Sequence, residues 1–246
     1  MRQTAELVAA YRRDGFVLVP GVITRERAAR YAQEALAVSR EHRPYHDGAV
    51  FTQLVNAYRV SAVLDELTRD PDLGRVAEAL AGVPLRVWHD HLLIKQPHNG
   101  APTEFHQDGP FWPHRGSRHA LSAWVALVDV PVERGCMTFL PGSQGRTDLR
   151  AQDLRDPDDL FRLNPDLVWN RRVTIPLRAG DCTFHNAYTA HGATPNLTDD
   201  PRIAHVVIWM DAEARYNGTP HVVTDPLGLP VGAAFPDEHF PPVAAS

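Results

Sequence analysis

The stretch Pro84-Leu85-Arg86-Val87-Trp88-His89-Asp90-His91-Leu92-Leu93-Ile94 marks the point where the chain changes texture. From here on, runs rich in β-branched and aromatic residues alternate with Gly, Pro and Asp. Leu85 to Ile94, Leu121 to Val130, Met137 to Leu140, Val173 to Leu177, Cys182 to Asn186 and Ile203 to Met210 all have strand character. Gly180-Asp181 is a turn signal between two of them. Residues 143–171 interrupt the series with a charged stretch that reads as a surface insertion, and long loops of this kind often act as lids. The tail after Asn217 carries six prolines and is expected to be extended.

Upstream of Pro84 the pattern is helical. Thr4 is expected to cap a helix over residues 5–13 that Gly15 stops. Phe16 to Val19 reads as a strand. Thr24 caps a helix over residues 25–40, where Ala28, Tyr31, Ala32, Ala35 and Leu36 recur at helical spacing and form one apolar face. Ser61 starts another helix, with Val63, Leu64 and Leu67 inward. Pro71 suits the first turn of a helix over residues 72–81, closed by Gly82.

Helices followed by strands predict an α+β, mainly β fold. Its core is an antiparallel sandwich or jelly roll with the N-terminal helices packed outside. A length of 246 residues suits a single domain. Within it, 1–83 forms helical support, 84–216 the core and 217–246 a Pro-rich tail. A double sheet leaves a mouth between its layers in which small ligands bind.

Composition narrows the function. With 43% hydrophobic and 22% charged residues, the chain is an ordinary globular sequence. A net charge of −5 offers no basic field for nucleic acid. No apolar run is long enough to span a membrane. Met1-Arg2-Gln3-Thr4 leads into an amphipathic segment rather than a signal-peptide core, so a cytoplasmic location is expected. Cys136 and Cys182 cannot build a disulfide framework and read as buried small hydrophobes. The basic residues are 24 Arg and one Lys, Lys95, a bias that a GC-rich genome produces. A monomer is compatible with the sequence, which does not specify an oligomeric state.

Thirteen histidines bring metal chemistry into question. In an extended strand His106 and Asp108 share a face and present an imidazole and a carboxylate to one point. These are two members of a two-histidine, one-carboxylate triad of the kind that holds non-haem Fe(II). A chain with 13 His and 20 Asp contains about one His-x-Asp by chance, so the spacing alone decides nothing. His191, between two strand-like runs, supplies a candidate third ligand. Arg202 opens the strand that follows and can pair bidentately with a carboxylate.

These pieces sit in an order that resembles the phytanoyl-CoA dioxygenase-like branch of the Fe(II)/2-oxoglutarate-dependent oxygenases. The resemblance begins at Tyr11-Arg12-Arg13-Asp14-Gly15-Phe16-Val17. It continues through Leu93-Ile94-Lys95-Gln96-Pro97 and Phe105-His106-Gln107-Asp108-Gly109-Pro110-Phe111-Trp112-Pro113. Next come Ser122-Ala123-Trp124-Val125-Ala126-Leu127 and Gly135-Cys136-Met137-Thr138-Phe139-Leu140-Pro141-Gly142-Ser143, then His191-Gly192 and Arg202. It implies a double-stranded β-helix with His106, Asp108 and His191 as iron ligands. Arg202 would hold the distal carboxylate of 2-oxoglutarate, with Gln107, Trp124 and Lys95 lining the cosubstrate pocket. Where the family often carries a Ser or Thr after the distal His-Gly, this chain has Ala193, and Thr194 is the candidate replacement. Asp108 occupies the position that halide-transferring relatives leave to a small residue, which favours hydroxylation over halogenation.

The resemblance further implies Fe(II), 2-oxoglutarate and O₂ as the reacting set and a small-molecule substrate whose unactivated C–H bond is hydroxylated. Desaturation, epoxidation and cyclisation use the same ligands. A non-catalytic small-molecule-binding jelly roll and a zinc hydrolase are the rival classes. His89 and His91 share a face on one strand and read as half-buried polar groups or pocket lining. His185 reads as structural or as a group beside the metal ligands, Phe111 and Trp112 as core or as mouth walls, and Glu104 has no assigned role. No basic cluster near the motifs suits the phosphates of a CoA thioester. The Arg-rich usage points to a bacterium in which such enzymes modify specialised metabolites.

Overall fold

The computed structural model describes residues 2–42, 44–47, 50–115 and 117–243. The helices are α1 (Arg2–Asp14), α2 (Arg25–Glu41), α3 (Ala62–Thr68), α4 (Pro71–Ala81) and α5 (Asp159–Leu163). The strands up to the middle of the chain are β1 (Phe16–Val19), β2 (His46–Asp47), β3 (Thr52–Val55), β4 (Leu85–Lys95), β5 (Thr103–His106), β6 (His114–Arg115) and β7 (Leu121–Ala126). They are followed by β8 (Met137–Phe139), β9 (Val173–Ile175), β10 (Cys182–Asn186), β11 (His191–Ala193), β12 (Arg202–Asp211) and β13 (Arg215–Tyr216).

The helix boundaries follow local chemistry. Thr24 and Ser61 accept hydrogen bonds from the backbone N–H of Arg27 and Leu64 and so cap α2 and α3, each cap contributing about 1 kcal/mol. Gly82 closes α4 with φ 73°, a conformation glycine adopts without strain. Thr4 is not a cap, because α1 already begins at Arg2.

A seven-stranded sheet runs in the order β1-β10-β7-β12-β4-β3-β2, and a four-stranded sheet in the order β5-β11-β8-β9. Their pairings are antiparallel. Side-chain alternation gives the large sheet two faces. Leu121, Ala123 and Val125 of β7, with Ile203, Val207 and Trp209 of β12, pack against Ala28, Tyr31, Leu64, Leu67 and Ala77 of the helices. Trp124, Ala126, Ala204, Val206 and Ile208 point the other way and pack with Met137, Phe139 and Ala193 of the small sheet. The helices therefore cover one face of the large sheet, and the other face shares an apolar layer with the small sheet.

Two expectations change. The tail is not a free extended segment: Phe235 and Phe240 are buried in the inner cluster, and the backbone N–H groups of Val87 and Val243 donate to Pro241 and Leu85. The insertion carries α5 and two short 3₁₀ turns and buries Leu160 and Leu167, so it is a packed structure rather than a bare loop.

Candidate metal centre

Chain reversal from β5 to β11 sets the first geometry. His106 and His191 are direct cross-strand partners, and their ring centroids lie 4.4 Å apart. Gly192 makes this approach feasible, since a Cβ there would stand 2.7 Å from the carbonyl oxygen of Thr103. The strand ends at His106, so the extended reading of residues 105–108 holds only in its first half. Asp108 has helical backbone angles (φ −72°, ψ −42°) and leads a 3₁₀ turn over Gly109–Phe111. Its carboxylate still reaches the same point: Oδ1 is 3.5 Å from His106 Nε2 and 3.8 Å from His191 Nε2. The ligand atoms of His106, Asp108 and His191 all lie within 4.8 Å of one another.

The tautomers are set by the backbone. His106 Nδ1 lies 2.7 Å from the carbonyl oxygen of Glu104, and His191 Nδ1 lies 2.9 Å from that of Thr189. A carbonyl only accepts, so each Nδ1 carries a proton, and the two Nε2 atoms are the ring nitrogens that face Asp108. Metal-binding imidazoles are oriented in this way. Burial alone would push the Asp108 carboxyl up. The imidazoles around it, His191 foremost, more than offset burial and hold it well below the ordinary carboxylate range. Burial pushes the His191 imidazole down to about 3. For His106 burial pulls down, but the bond to Asp108 outweighs it and the net shift is upward.

His185, read from the sequence as structural or as a group beside the ligands, stands next to Asp108. It is buried on β10, with Nε2 3.5 Å from Asp108 Oδ2, and Ser122 Oγ donates to the same oxygen at 3.4 Å. Both come from one cross-strand pair, His185 opposite Ser122. Only the sheet order brings them to Asp108, so no local motif could have signalled them.

Two residues further along β7, on the same face as Ser122, stands Trp124. Strand geometry puts this step at about 6.7 Å. The guanidinium carbon of Arg202 lies 5.2 Å from the Trp124 ring centroid. Arg202 is 2% exposed, and its Nε and one Nη have no hydrogen-bond partner. Burial lowers its pKa to about 10, so it stays charged at neutral pH. Lys95 is its cross-strand neighbour and is wholly buried. Its Nζ donates to the carbonyls of Ala101 and Thr194. Burial, reinforced by Arg202, pushes Lys95 down to about 7. A Cβ at Gly135 would sit 3.4 Å from Lys95 and 3.5 Å from Arg202. Lys95 and Arg202 are thus neighbouring buried basic groups, a costly arrangement unless an acid binds there.

Two expected pocket residues are engaged elsewhere. The Gln107 amide donates to the carbonyls of Arg146 and Tyr188. The Thr194 hydroxyl donates to the Val132 carbonyl at 2.6 Å. Gln107 follows the last residue of β5 and is turned toward the insertion. His91 and His89 stack at 4.4 Å on the inner face of β4, and burial holds His91 near 4 and His89 well below its ordinary value. Cys136 and Cys182 are free and buried, as expected.

The donor set fits a ferrous ion: the Nε2 atoms of two imidazoles and a carboxylate converge on one point, the two-histidine, one-carboxylate set that suits non-haem iron. The unpaired guanidinium nearby fits a ligand with a free carboxylate.

Comparison with known proteins agrees. A family model described as phytanoyl-CoA dioxygenase matches residues 11–204. Phytanoyl-CoA dioxygenase domain-containing protein 1 of Mus musculus is 30% identical over 156 residues, covering 61% of this chain and 53% of that protein. L-proline trans-4-hydroxylase of Streptomyces griseoviridis is 32% identical over 141 residues, covering 54% of this chain and 53% of that enzyme. The chain thus spans about half the length of these curated relatives. Among solved structures, the epimerase SnoN in complex with Fe3+, alpha ketoglutarate and nogalamycin RO superposes with a TM-score of 0.88 at 39% identity, covering 99% of both chains. The carbocyclase SnoK from nogalamycin biosynthesis does so with a TM-score of 0.87 at 35% identity, covering 97% of this chain and 96% of that one.

Proposed function

The chain belongs to the phytanoyl-CoA dioxygenase family, and from that premise we propose that it is a non-haem Fe(II)/2-oxoglutarate-dependent oxygenase acting on a small-molecule specialised metabolite. Residues 1–246 are read as one oxygenase domain, and the two facing sheets as its jelly-roll core. The observation that carries the reading is the convergence of His106, Asp108 and His191, with the unpaired Arg202 guanidinium one strand step along the same inner face.

His106 Nε2, Asp108 and His191 Nε2 would hold the metal. Arg202 would take the distal carboxylate of 2-oxoglutarate, with the Trp124 ring supporting the guanidinium. Lys95 supplies a second positive charge on the same strand pair. Ferrous ion, Asp108, the diacid and Arg202 sum to about zero charge when Lys95 is neutral and to about +1 when it is protonated, far less than the uncompensated charge of the metal alone. When bound, iron with 2-oxoglutarate and O₂ supplies the oxidising power to break an unactivated C–H bond, with succinate and CO₂ as co-products. The protein's share is to place the target carbon, hold the ligands and exclude water. No side-chain general base is needed. Gln107 and Thr194, engaged elsewhere, leave Arg202, Trp124 and Lys95 as the cosubstrate contacts.

Hydroxylation is the first outcome proposed. A second has specific support: solved structures that match over nearly the whole chain include an epimerase and a carbocyclase. The same residues would then hold a centre that supplies a two-electron oxidation for ring closure, or one that inverts a carbon while an external reductant such as a thiol or ascorbate supplies the returning hydrogen and the electrons. Product masses separate these outcomes. Hydroxylation adds one oxygen atom, ring closure removes two hydrogens, and inversion leaves the mass unchanged. The enzymatic reading itself is tested by Fe(II)-dependent release of succinate from 2-oxoglutarate, abolished in His106→Ala. Succinate release without iron, or none with it, overturns the reading. No described helix is long and apolar enough to cross a membrane, and the free thiols suit a reducing, cytoplasmic setting.

A further inference from the structure

The proposed ligands come from two separate stretches, the end of β5 with the turn that follows it and the first residue of β11. Sheet hydrogen bonding does not fully fix one against the other. The β5–β11 register shifts between His191 and Ala193, and Asp108 lies beyond the end of its strand. Something else must set the distance between Asp108 and His191.

The insertion occupies that place. Gln107 is wholly buried, and its side-chain nitrogen donates to the carbonyl of Tyr188 at 2.7 Å and to that of Arg146 at 2.8 Å. Its backbone N–H donates to Gln152 Oε1 at 2.8 Å. On the other side, Ser143 Oγ accepts from the backbone N–H of Ala190 at 2.8 Å and donates to the Leu140 carbonyl at 2.7 Å. The residue between two proposed ligands and the residue just before the third are thus both tied to positions 143–152. Both acceptors of the Gln107 amide are carbonyls, which only accept, so only the nitrogen end can face them. Gln152 and Ser143 are themselves buried, which is inconsistent with a freely opening lid.

We propose that residues 143–152 form a strap that sets the geometry of the metal centre, with Gln107 as its positioning residue. The inference rests on the iron reading above. It assigns the insertion a role in holding ligands rather than in covering substrate. Hydrogen-bonded partners outside a metal's own ligands typically govern a tenfold to hundredfold range in metal affinity.

The test titrates Co(II), a spectroscopic stand-in for iron, into the metal-free full chain and follows affinity and visible ligand-field bands. Gln107→Leu is expected to weaken Co(II) binding about tenfold or more and to alter the bands. Gln152→Leu, which removes a single acceptor, is expected to weaken it less. Leu64→Ala, in the helical layer, is the control for simple destabilisation: its Tm falls while affinity and bands stay as in the unmutated protein. Unchanged affinity and bands in Gln107→Leu overturn the strap, as they do in Gln152→Leu should that be the variant that folds. Failure of the unmutated protein to bind Co(II) overturns the iron reading itself.

Discussion

Arg202 lies against the face of Trp124, its guanidinium carbon 5.2 Å from the ring centroid, with two of its nitrogens buried and unpaired. A buried cation without an anion lowers the stability of the empty protein and is repaid when the anion arrives. Arg202→Met should therefore raise Tm without 2-oxoglutarate and abolish the stabilisation that 2-oxoglutarate gives. Its KM for 2-oxoglutarate should rise roughly tenfold to hundredfold, the range expected for a charged hydrogen-bonded contact. Melting curves with and without the diacid, and steady-state KM values, check both.

Lys95 makes the pH dependence of cosubstrate binding predictable. Burial holds it near 7, well below the value of about 10.4 expected in the unfolded chain. Below pH 7 the folded protein bears the full cost of a buried charge. That cost is relieved as pH rises from 7 toward the unfolded value, so this group's contribution to stability increases with pH over that window. Affinity for the diacid runs the other way: it should fall as pH rises through about 7, where Lys95 loses its proton. Calorimetric titration of 2-oxoglutarate in the presence of a redox-inert divalent metal should show this loss, and Lys95→Met should flatten that component.

Much of this arrangement was legible in the sequence, and the rest was not, for physical reasons. Caps at Thr24, Ser61 and Gly82 and the strands β1 and β10 obey local rules, so their positions could be read directly. The ligand set and Arg202 rested on a spaced series of motifs. The edge strand β2 and its neighbour β3 carry no clear alternation and were missed. Asp108 was expected on an extended strand and lies in a turn. Gln107 was expected in the pocket, yet its amide serves the insertion. His185 and Ser122 reach Asp108 only through sheet order. Each of these depends on contacts distant in sequence, which local patterns do not encode.

Gly192 is where packing and chemistry meet. A methyl group there would press against the backbone of β5 at the Thr103 carbonyl. Backbone cannot move aside as a flexible side chain would. Gly192→Ala should part β11 from β5, separate His191 from His106 and lower Tm. It should also weaken divalent-metal binding, which a metal titration alongside a melting curve would register.

Behind the large sheet, Asp90 is wholly buried and accepts from the Tyr58 backbone N–H and the Thr68 hydroxyl, both at 2.9 Å. His205 Nε2 lies 3.3 Å from the same carboxylate oxygen. Asp90→Ala leaves these partners unsatisfied and should destabilise by about 3 kcal/mol in chemical denaturation. Metal affinity should be unaffected, because this network sits on the helix side of the sheet.

The central claim is that His106, Asp108 and His191 share one ferrous ion while Arg202 holds its keto-acid partner. A crystal soaked anaerobically with Fe(II) and 2-oxoglutarate tests this most directly. The account expects an ion bonded to both Nε2 atoms and to the Asp108 carboxylate, with the diacid reaching from it to the Arg202 guanidinium. An ion bound elsewhere, or a diacid that leaves Arg202 unpaired, would contradict it.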